Sequence, residues 1–581
     1  MSETTSAIES ANLGSGDNNP EKARLKIASE KTHWLSQFNE RFSEWCSSIL
    51  VKETRQALKS RQFIWTYLVL LLCVGVWTVL GLSVASSQYE IGKDLLVGYW
   101  VILGFPLGLI IPFSAYRSLA REFEDGTIHL MSITTMKPHQ IVIGKFGSAI
   151  LQMVIYLSVL APCICFTYLL RGISLNQITF GLMICVGGSI GLTILGLFLA
   201  GVFRSRTLGI GVSVLFVLLL GWLYYLWCLL SDEFTRYGGI INWDDPDMMM
   251  GTFGIVAFFG STAGLLLVTA TAQISFPSDN RATPIRIAMF VQQILFFAFL
   301  VVMIPSIPFS NDATWGMMMF AGHYWLIMGF LMIGESSSVS RRVQRTLPRT
   351  IFSRSAFSLL MPGAGRGFLF AVANVWTCAL VMVLINLFSD FLIDEATAKR
   401  IAGIWGARGA AVLDWEDLLG MVTCCFYVTW FLAIIYLVMR LLLEKKKREW
   451  STGVGPTISL VMGALFIALL SIGSFVVHFN FFPYDMRNEV TPPLVFNWYV
   501  MVFDVAGVQG SGQTLVRQAI WVFAFFVQAV LVIGIAFAFA SRELLVRPIA
   551  VPERVQIEMQ KTKFSNVPVG ESIDEIFGDL K

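Results

Sequence analysis

The chain has 581 residues, of which 55% are hydrophobic and only 14% are charged, and its mean hydropathy is +0.68. A soluble protein of this length has too little interior to bury so much apolar surface, so the composition excludes an ordinary soluble enzyme and indicates a polytopic membrane protein. The formal net charge is +3. Since the basic residues flank apolar runs, this small excess indicates no nucleic-acid partner.

Twelve apolar runs are each long enough to cross a bilayer as a helix, which takes about 20 apolar residues. They are apolar on all sides and longer than the roughly ten-residue alternating strands of a membrane β-barrel. The sequence therefore predicts an all-α polytopic membrane protein with about 12 transmembrane helices. The predicted spans are 63–85, 95–115, 146–170, 178–203, 208–230, 253–274, 287–305, 315–335, 368–393, 417–440, 457–477 and 519–541.

The charges that flank the spans predict their orientation. The first 62 residues contain no apolar core or cleavage site of a signal peptide, so the N-terminus is expected in the cytoplasm. An even number of crossings returns the C-terminus to the same side. Most of the 42 Lys and Arg residues then lie in segments predicted to be cytoplasmic, as the positive-inside rule requires.

The ends of the chain differ from the spans. Residues 1–31 are rich in Ser, Glu, Gly and Asn, which predicts a disordered cytoplasmic segment. Residues 32–62 place apolar side chains at helical spacing, with Lys52, Glu53 and Arg55 among the polar residues. This pattern favours an interfacial helix on the inner leaflet, and a helix packed on a partner remains the alternative. Residues 542–581 are predicted to form a cytoplasmic tail.

The segment Ala120–Lys145 is charged and amphipathic, and it separates two long apolar runs. A connection between membrane helices needs only a few residues, so this length indicates a structure on the cytoplasmic surface that contacts a partner. Glu122 and Glu124 lie near a predicted helix start, where they either serve the partner or favour the helix dipole. Lys145, at the entry to the third span, is interpreted as an inner-leaflet anchor.

This segment resembles the loop between the second and third membrane helices of ABC-2 type transporter permeases. Those proteins show an acidic stretch followed by Gly-Thr, an apolar run, a Pro and a closing Gly-Lys. A basic lead-in to the first span is similar to Lys52-Glu53-Thr54-Arg55. The resemblance covers roughly residues 45–275. The matching residues in the loop are Arg121, Glu122, Glu124, Gly126, Thr127, Leu130 to Thr134, Pro138 and Gly144-Lys145.

The resemblance implies that Arg121, Glu122, Glu124, Gly126, Thr127 and Pro138 couple the chain to a separate ABC ATPase subunit. No phosphate-binding loop motif is found in the sequence, because neither Gly92-Lys93 nor Gly144-Lys145 has the required upstream glycine and following Ser or Thr. ATP and its Mg²⁺ are therefore expected on the partner, and no cofactor is expected on this chain.

The spans are predicted to form two regions, 63–274 as an ABC-2-like six-span permease core and 275–541 as a second six-span region. The long loop 336–367 takes the place in the second region that 116–145 takes in the first. Two parallel six-helix halves are one interpretation. A permease core with an unrelated extension is the other, and both stay open.

A few residues inside the spans have a predicted role. Gly187 and Gly191 form a small-xxx-small pair, which permits close helix packing within the subunit or at a dimer seam. Asn374 and Asn386 are polar groups in the ninth predicted span, and they are candidates for a transport path.

Enzymatic and metal sites find little support. The five histidines are scattered, and no HExxH motif occurs. The nine cysteines lack zinc-ligand spacing and lie almost entirely in predicted spans, where they are expected to be packing residues. We expect no catalytic residue and no metal site.

The sequence thus predicts the transmembrane subunit of an ABC transporter, an exporter in a bacterial plasma membrane that is driven by a separate cytoplasmic ATPase. Its other partners are membrane lipid and either a second copy of the chain or a second permease. A secondary transporter without an ATPase is the first alternative. An ATPase-linked envelope scaffold without its own transport substrate is the second.

Overall fold

The computed structural model describes most of the chain, and its contacts divide it into two units, Met1–Ile241 and Asn242–Lys581. We describe each unit by itself. The predicted segment 1–31 and the part of the predicted interfacial helix before Ser48 lie outside the described residues. So does the predicted tail 542–581 after Leu544, and its first three residues belong to the last helix. The described residues are 48–84, 91–128, 130, 137–169, 173–202, 206–237, 246–276, 279–303, 311–336, 343–344, 348, 350–392, 415–445, 454–481 and 519–544.

The all-α prediction is confirmed. Within the described ranges, 12 helical segments are long and apolar enough to cross a membrane, and each overlaps one of the predicted spans. No β-strand occurs in the described part of the chain. The protein is therefore an all-α polytopic membrane protein.

Unit 1 contains five of these spans, one of which is interrupted by a single π-helical turn. Its helices are α1 Ser48–Leu58, α2 Arg61–Val84, α3 Ile91–Phe105, the π turn Pro106–Ile110, α4 Ile111–Glu124, α5 Pro138–Leu169, α6 Leu175–Val202 and α7 Arg206–Tyr237.

The core of unit 1 lies around α3, whose Trp100 and Leu103 are buried against α5 and α6. Buried hydroxyls need partners in an apolar surrounding. Tyr99 Oη on α3 accordingly lies 2.7 Å from Thr78 Oγ1 on α2. The Trp227 ring nitrogen on α7 donates to the Trp100 carbonyl at 2.9 Å. These bonds tie α3 to its neighbours.

The π turn leaves one backbone carbonyl to be satisfied from outside its own helix. Pro112 has no N–H, so the carbonyl of Leu107, five residues earlier, receives no bond from it in the π pattern. The Ser189 hydroxyl on α6 donates to that carbonyl instead, at 2.6 Å. The second span thus continues as α4, and α4 packs along α6.

Unit 2 contains the remaining seven spans and a short helix, α11. Its core lies between α10, α12 and α13, where Phe368 stacks on Tyr436 with ring centroids 5.4 Å apart. The helices are α8 Pro246–Ile274, α9 Ala282–Met303, α10 Asn311–Ile333, α11 Ile351–Leu359, α12 Ala364–Leu392, α13 Trp415–Lys445, α14 Val454–Phe481 and α15 Ala519–Leu544.

The division between the units falls one span earlier than the predicted regions 63–274 and 275–541. The span α8, which we predicted as the last helix of a six-span core, packs with α9 in unit 2. Packing partners do not decide whether a sequence was duplicated. The six-plus-six repeat therefore remains a prediction.

Candidate functional site

Much of the predicted coupling segment is helical. The helix α4 continues to Glu124, and α5 begins at Pro138. Gly126 follows the end of α4 with a φ of +67°, in the left-handed region that favours glycine. Pro138 is the first residue of α5, where its missing N–H leaves no helical bond unmade. The residues 129 and 131–136 lie outside the described part.

Glu122 and Glu124 lie in the last turn of α4. Helical residues resume at Thr127, so a favourable contribution of either carboxylate to the dipole of that next helix stays a prediction. At the end of α4 itself, a carboxylate faces the negative pole of the helix dipole, which is unfavourable. Some other positive group must therefore stabilise Glu122, and that group is Lys145.

Lys145 is the centre of a buried ion cluster. Its ammonium nitrogen lies 3.0 Å from Glu53 Oε1 and 2.9 Å from Glu122 Oε1. It also donates to Ser118 Oγ at 2.7 Å, and Ser118 in turn donates to Glu53 Oε2 at 3.2 Å. We call Glu53, Ser118, Glu122 and Lys145 the Lys145 cluster. It joins α1, α4 and α5 in one contact.

The reading of Lys145 as an inner-leaflet anchor is therefore wrong. Only 2% of its side chain is exposed, whereas an anchor extends its ammonium group into the headgroup region. All three N–H groups of the ammonium have an acceptor. An ion pair this deeply buried fixes the geometry of the helices that supply it, because each charge needs the others.

The Lys145 cluster contains more negative than positive charge. Two carboxylates share one ammonium group, and Glu122 Oε2 is buried without a hydrogen-bond partner among the described residues. A buried charge is stable only when it is paired and hydrogen-bonded. Loss of Lys145 would therefore remove the ammonium group that both carboxylates contact.

The other predicted coupling residues divide by exposure. Arg121 and Glu124 are exposed on α4. The Thr127 hydroxyl is half-buried and donates to the Glu122 carbonyl at 3.3 Å, which covers the end of α4. Arg121 and Glu124 are accordingly accessible to a partner, whereas Glu122 forms an ion pair with Lys145.

The helix α1 has two different faces. Its apolar face lies on α5, where Ile49 meets Gly144 and Leu50 meets Gly147. The opposite face is exposed and mostly basic, and it borders a shallow groove. The residues that line this groove are Val51, Lys52, Arg55, Gln56 and Lys59. Within the described residues, the apolar side of α1 therefore packs on protein, and its place at the membrane interface stays a prediction.

The contact of α1 with α5 predicts the effect of a larger side chain at Gly144. A Cβ atom at Gly144 would lie 2.9 Å from Ile49 Cγ2 and 3.3 Å from the Leu50 backbone nitrogen. We expect Gly144→Val to displace α1 and to destabilise the protein by about 1–3 kcal/mol, measured as thermal unfolding in detergent. Gly187→Val is the matched control, because a Cβ atom there meets nothing within 4 Å. Equal stability of the two variants would contradict this packing.

The predicted packing and transport-path residues are not brought together. Gly187 and Gly191 have no neighbour within 4 Å of an added Cβ atom, so no described helix of this chain approaches them closely; a seam with a second copy remains a prediction. Asn374 is buried on α12, and its amide donates to the Phe370 carbonyl at 2.7 Å. Asn386 also lies on α12, but its side chain is outside the described part.

Unit 2 contains a second buried ion pair that the sequence did not indicate. Arg286, on the first turns of α9, is fully buried and lies 2.6 Å from Glu335 Oε2, just after α10. The same guanidinium donates to the carbonyls of Leu359 and Met361. Burial raises the pKa of the Glu335 carboxyl, and the Arg286 guanidinium opposes that shift. Arg286 on α9 thus joins Glu335, which follows α10, to the connection between α11 and α12.

A neighbouring contact ties the same end of α12 to α15. Glu543 on α15 accepts a hydrogen bond from the Gly365 backbone N–H at 2.9 Å. The Arg366 guanidinium donates to the Glu543 carbonyl, also at 2.9 Å. Arg286, Glu335, Arg366 and Glu543 are far apart in the sequence, so no local pattern indicates these contacts. These ion pairs and hydrogen bonds hold the ends of α9, α10, α12 and α15 together in unit 2.

Comparison with family models, with curated proteins and with solved structures finds no match to this chain. In the part that the structure describes, no group of three His, Cys, Asp or Glu side chains is placed to hold a metal ion. The helices define the class, a multi-pass α-helical membrane protein. The Lys145 cluster, with the exposed residues beside it, is the candidate functional site.

Proposed function

We propose that this chain is the membrane subunit of an ABC transporter of the ABC-2 type. A separate cytoplasmic ATPase binds ATP and Mg²⁺ and drives export. The subunit lies in a bacterial plasma membrane with both termini in the cytoplasm. It forms the translocator with a second copy of itself or with a second permease.

The observation that carries this proposal is the Lys145 cluster. An ATPase that closes on ATP must act on a rigid element for its motion to reach the spans. The ion pairs hold α1 and the start of α5 against the end of α4. Since α4 continues the second span beyond the π turn, a force on this three-helix end is transmitted into the membrane. Interruptions of the α pattern of this kind are frequent at functional sites.

The exposed charges beside the Lys145 cluster supply a surface for the ATPase. Arg121 and Glu124 are exposed on α4, and Lys52 and Arg55 are exposed on α1. Charges on an interface rim favour the correct partner and reject the wrong one. The coupling role of Glu122 in this proposal is to hold the three helices together, while Arg121 and Glu124 contact the ATPase.

This division of roles predicts the effect of charge reversal at Glu124. We expect Glu124→Arg to reduce co-purification of the ATPase and its stimulated ATP hydrolysis by about tenfold or more, because a reversed charge opposes the partner. The thermal stability of the chain should stay unchanged. The measurement is ATP hydrolysis by the purified complex in lipid nanodiscs.

The matched control is Glu233→Arg, a reversal at an exposed glutamate on α7. That variant should retain the ATPase. If Glu124→Arg retains a fully stimulated ATPase, the contact surface is elsewhere. If the wild-type chain neither binds nor stimulates an ATPase, a secondary transporter replaces the proposal.

A further inference from the structure

The groove on the exposed side of α1 is basic along its whole length. Lys52, Arg55 and Lys59 line it together with Val51 and Gln56, and we call it the basic groove. The positions 55, 56 and 59 follow position 52 by three, four and seven residues, so these side chains lie on one helix face. The Lys59 backbone N–H bonds to the Arg55 carbonyl at 3.2 Å, which continues this face one residue past the end of α1.

The helix that carries the basic groove does not neutralise its charge. Glu53 is the only carboxylate of α1, and it lies 3.0 Å from the ammonium nitrogen of Lys145. Among the described residues, Lys52, Arg55 and Lys59 form no ion pair. Three exposed cations on one helix face create a positive potential that attracts an anionic group. The occupant of the groove is therefore anionic.

The basic groove lies beside the start of a lipid-facing helix. Only Ser60 separates Lys59 from α2, and the Ser60 hydroxyl accepts a hydrogen bond from the Phe63 backbone N–H at 3.1 Å, as an N-cap residue does. In the first two turns of α2, Ile64 is 47% exposed and Trp65 is 67% exposed. An exposed tryptophan near the end of a membrane span marks the level of the lipid headgroups.

The opposite face of α1 fixes the groove in this position. Ile49 packs on Gly144 and Leu50 packs on Gly147, both near the start of α5. Because α1 is held to protein on that side, its basic face is directed outward, next to the exposed apolar side chains of α2. An anionic phospholipid supplies both a phosphate for the groove and apolar chains for α2. An acidic protein surface would supply the charge but would leave those apolar side chains uncovered.

We infer that the basic groove binds the headgroup of an anionic phospholipid, whose phosphate lies against Arg55 and Lys59 and whose chains lie along the first turns of α2. The inference rests on the proposed function only for the side of the membrane, since the cytoplasmic position of α1 belongs to that proposal. It assigns the lipid to residues other than Arg121 and Glu124, which contact the ATPase in that proposal. Lys52 and Arg55 form the border between the two surfaces.

Photolabelling of the purified full chain in phosphatidylcholine nanodiscs tests this inference. The probe is phosphatidylglycerol with a diazirine next to its glycerol backbone, and phosphatidylcholine with the same diazirine is the reference. The labelled residues are mapped by mass spectrometry. We expect phosphatidylglycerol to label α1 and the first turns of α2 at least about fivefold more than the reference, because one basic residue near an anionic headgroup contributes about that factor.

Two double variants with the same loss of charge separate the groove from the overall charge of the chain. Arg55→Gln/Lys59→Gln should lower the preference for phosphatidylglycerol by about fivefold or more. Lys137→Gln/Arg542→Gln is the matched control, because both residues are exposed at the ends of other helices, and it should preserve the preference. Neither variant should change the temperature of unfolding, since all four side chains lie on the surface.

Three results would overturn the inference. The first is equal labelling of α1 and α2 by the two probes in the wild type, and the second is an equal loss of preference in both double variants. The third is a preference that disappears when a co-purified ATPase is bound, which would assign the groove to that partner. The labelling requires no ATP hydrolysis, so its failure is distinguishable from a failure of the proposed function.

Discussion

Replacement of Lys145 with methionine should lower the free energy of unfolding of this protein by about 3–5 kcal/mol, the usual cost of removing one partner from a buried ion pair. The side chain is 2% exposed and donates to Glu53, Glu122 and Ser118. Methionine has a similar volume but removes the ammonium group from two carboxylates whose side chains are only 14% and 17% exposed. The measurement is thermal or denaturant-induced unfolding of the purified chain in detergent.

Two further variants decide whether the charge or the volume matters. Lys137→Met is the matched control, because Lys137 is exposed at the start of α5, and its replacement should change the stability by less than about 0.5 kcal/mol. Adding Glu122→Gln to Lys145→Met should recover part of the lost stability, since one uncompensated carboxylate is removed. If Lys145→Met is as stable as Lys137→Met, the Lys145 cluster does not hold the three helices.

Arg286→Met should have a comparable effect in unit 2, again about 3–5 kcal/mol. The arginine is fully buried. Its removal leaves the carbonyls of Leu359 and Met361 without this donor, and it leaves Glu335 with the Gly363 backbone N–H but without the guanidinium. The stability of Arg286→Lys should lie between those of the wild type and Arg286→Met. A lysine keeps the positive charge, but it lacks the planar guanidinium that donates to several acceptors at once. Unfolding in detergent measures all three proteins.

The control for Arg286 is Arg55→Met, at an exposed arginine on α1. It should leave the stability nearly unchanged. The double variant Arg286→Met/Glu335→Gln should be more stable than Arg286→Met alone, because the unpaired carboxylate is gone. A double variant that is less stable than the single one would show that Glu335 has another essential partner.

The spans were predictable because an apolar run of sufficient length can satisfy its backbone in lipid only as a helix. The helix ends were less predictable. The charged residues Glu122 and Lys145 indicated the end of one span and the approach to the next, yet both lie within helices. Their charges are tolerated there because they pair with each other and with Glu53. Such pairing is a tertiary contact, and periodicity does not indicate it.

The candidate site was predicted in part for the same reason. The pattern around Glu122 and Glu124 identified the segment, but two acidic residues that are two positions apart have different surroundings in the structure. Glu122 turns towards α5, whereas Glu124 is exposed. The glycine pair Gly187 and Gly191 shows the opposite case, in which a packing motif finds no neighbour within this chain. In both cases, the missing information is the identity of the facing helix.

Purification of this chain with its bound partners shows whether it works with a separate ATPase. The tagged chain is purified in mild detergent, the co-purifying proteins are identified and quantified by mass spectrometry, and ATP hydrolysis is assayed. We expect a stoichiometric partner with nucleotide-binding motifs and ATPase activity that depends on Glu124. A chain that purifies without such a partner and without ATPase activity would contradict it.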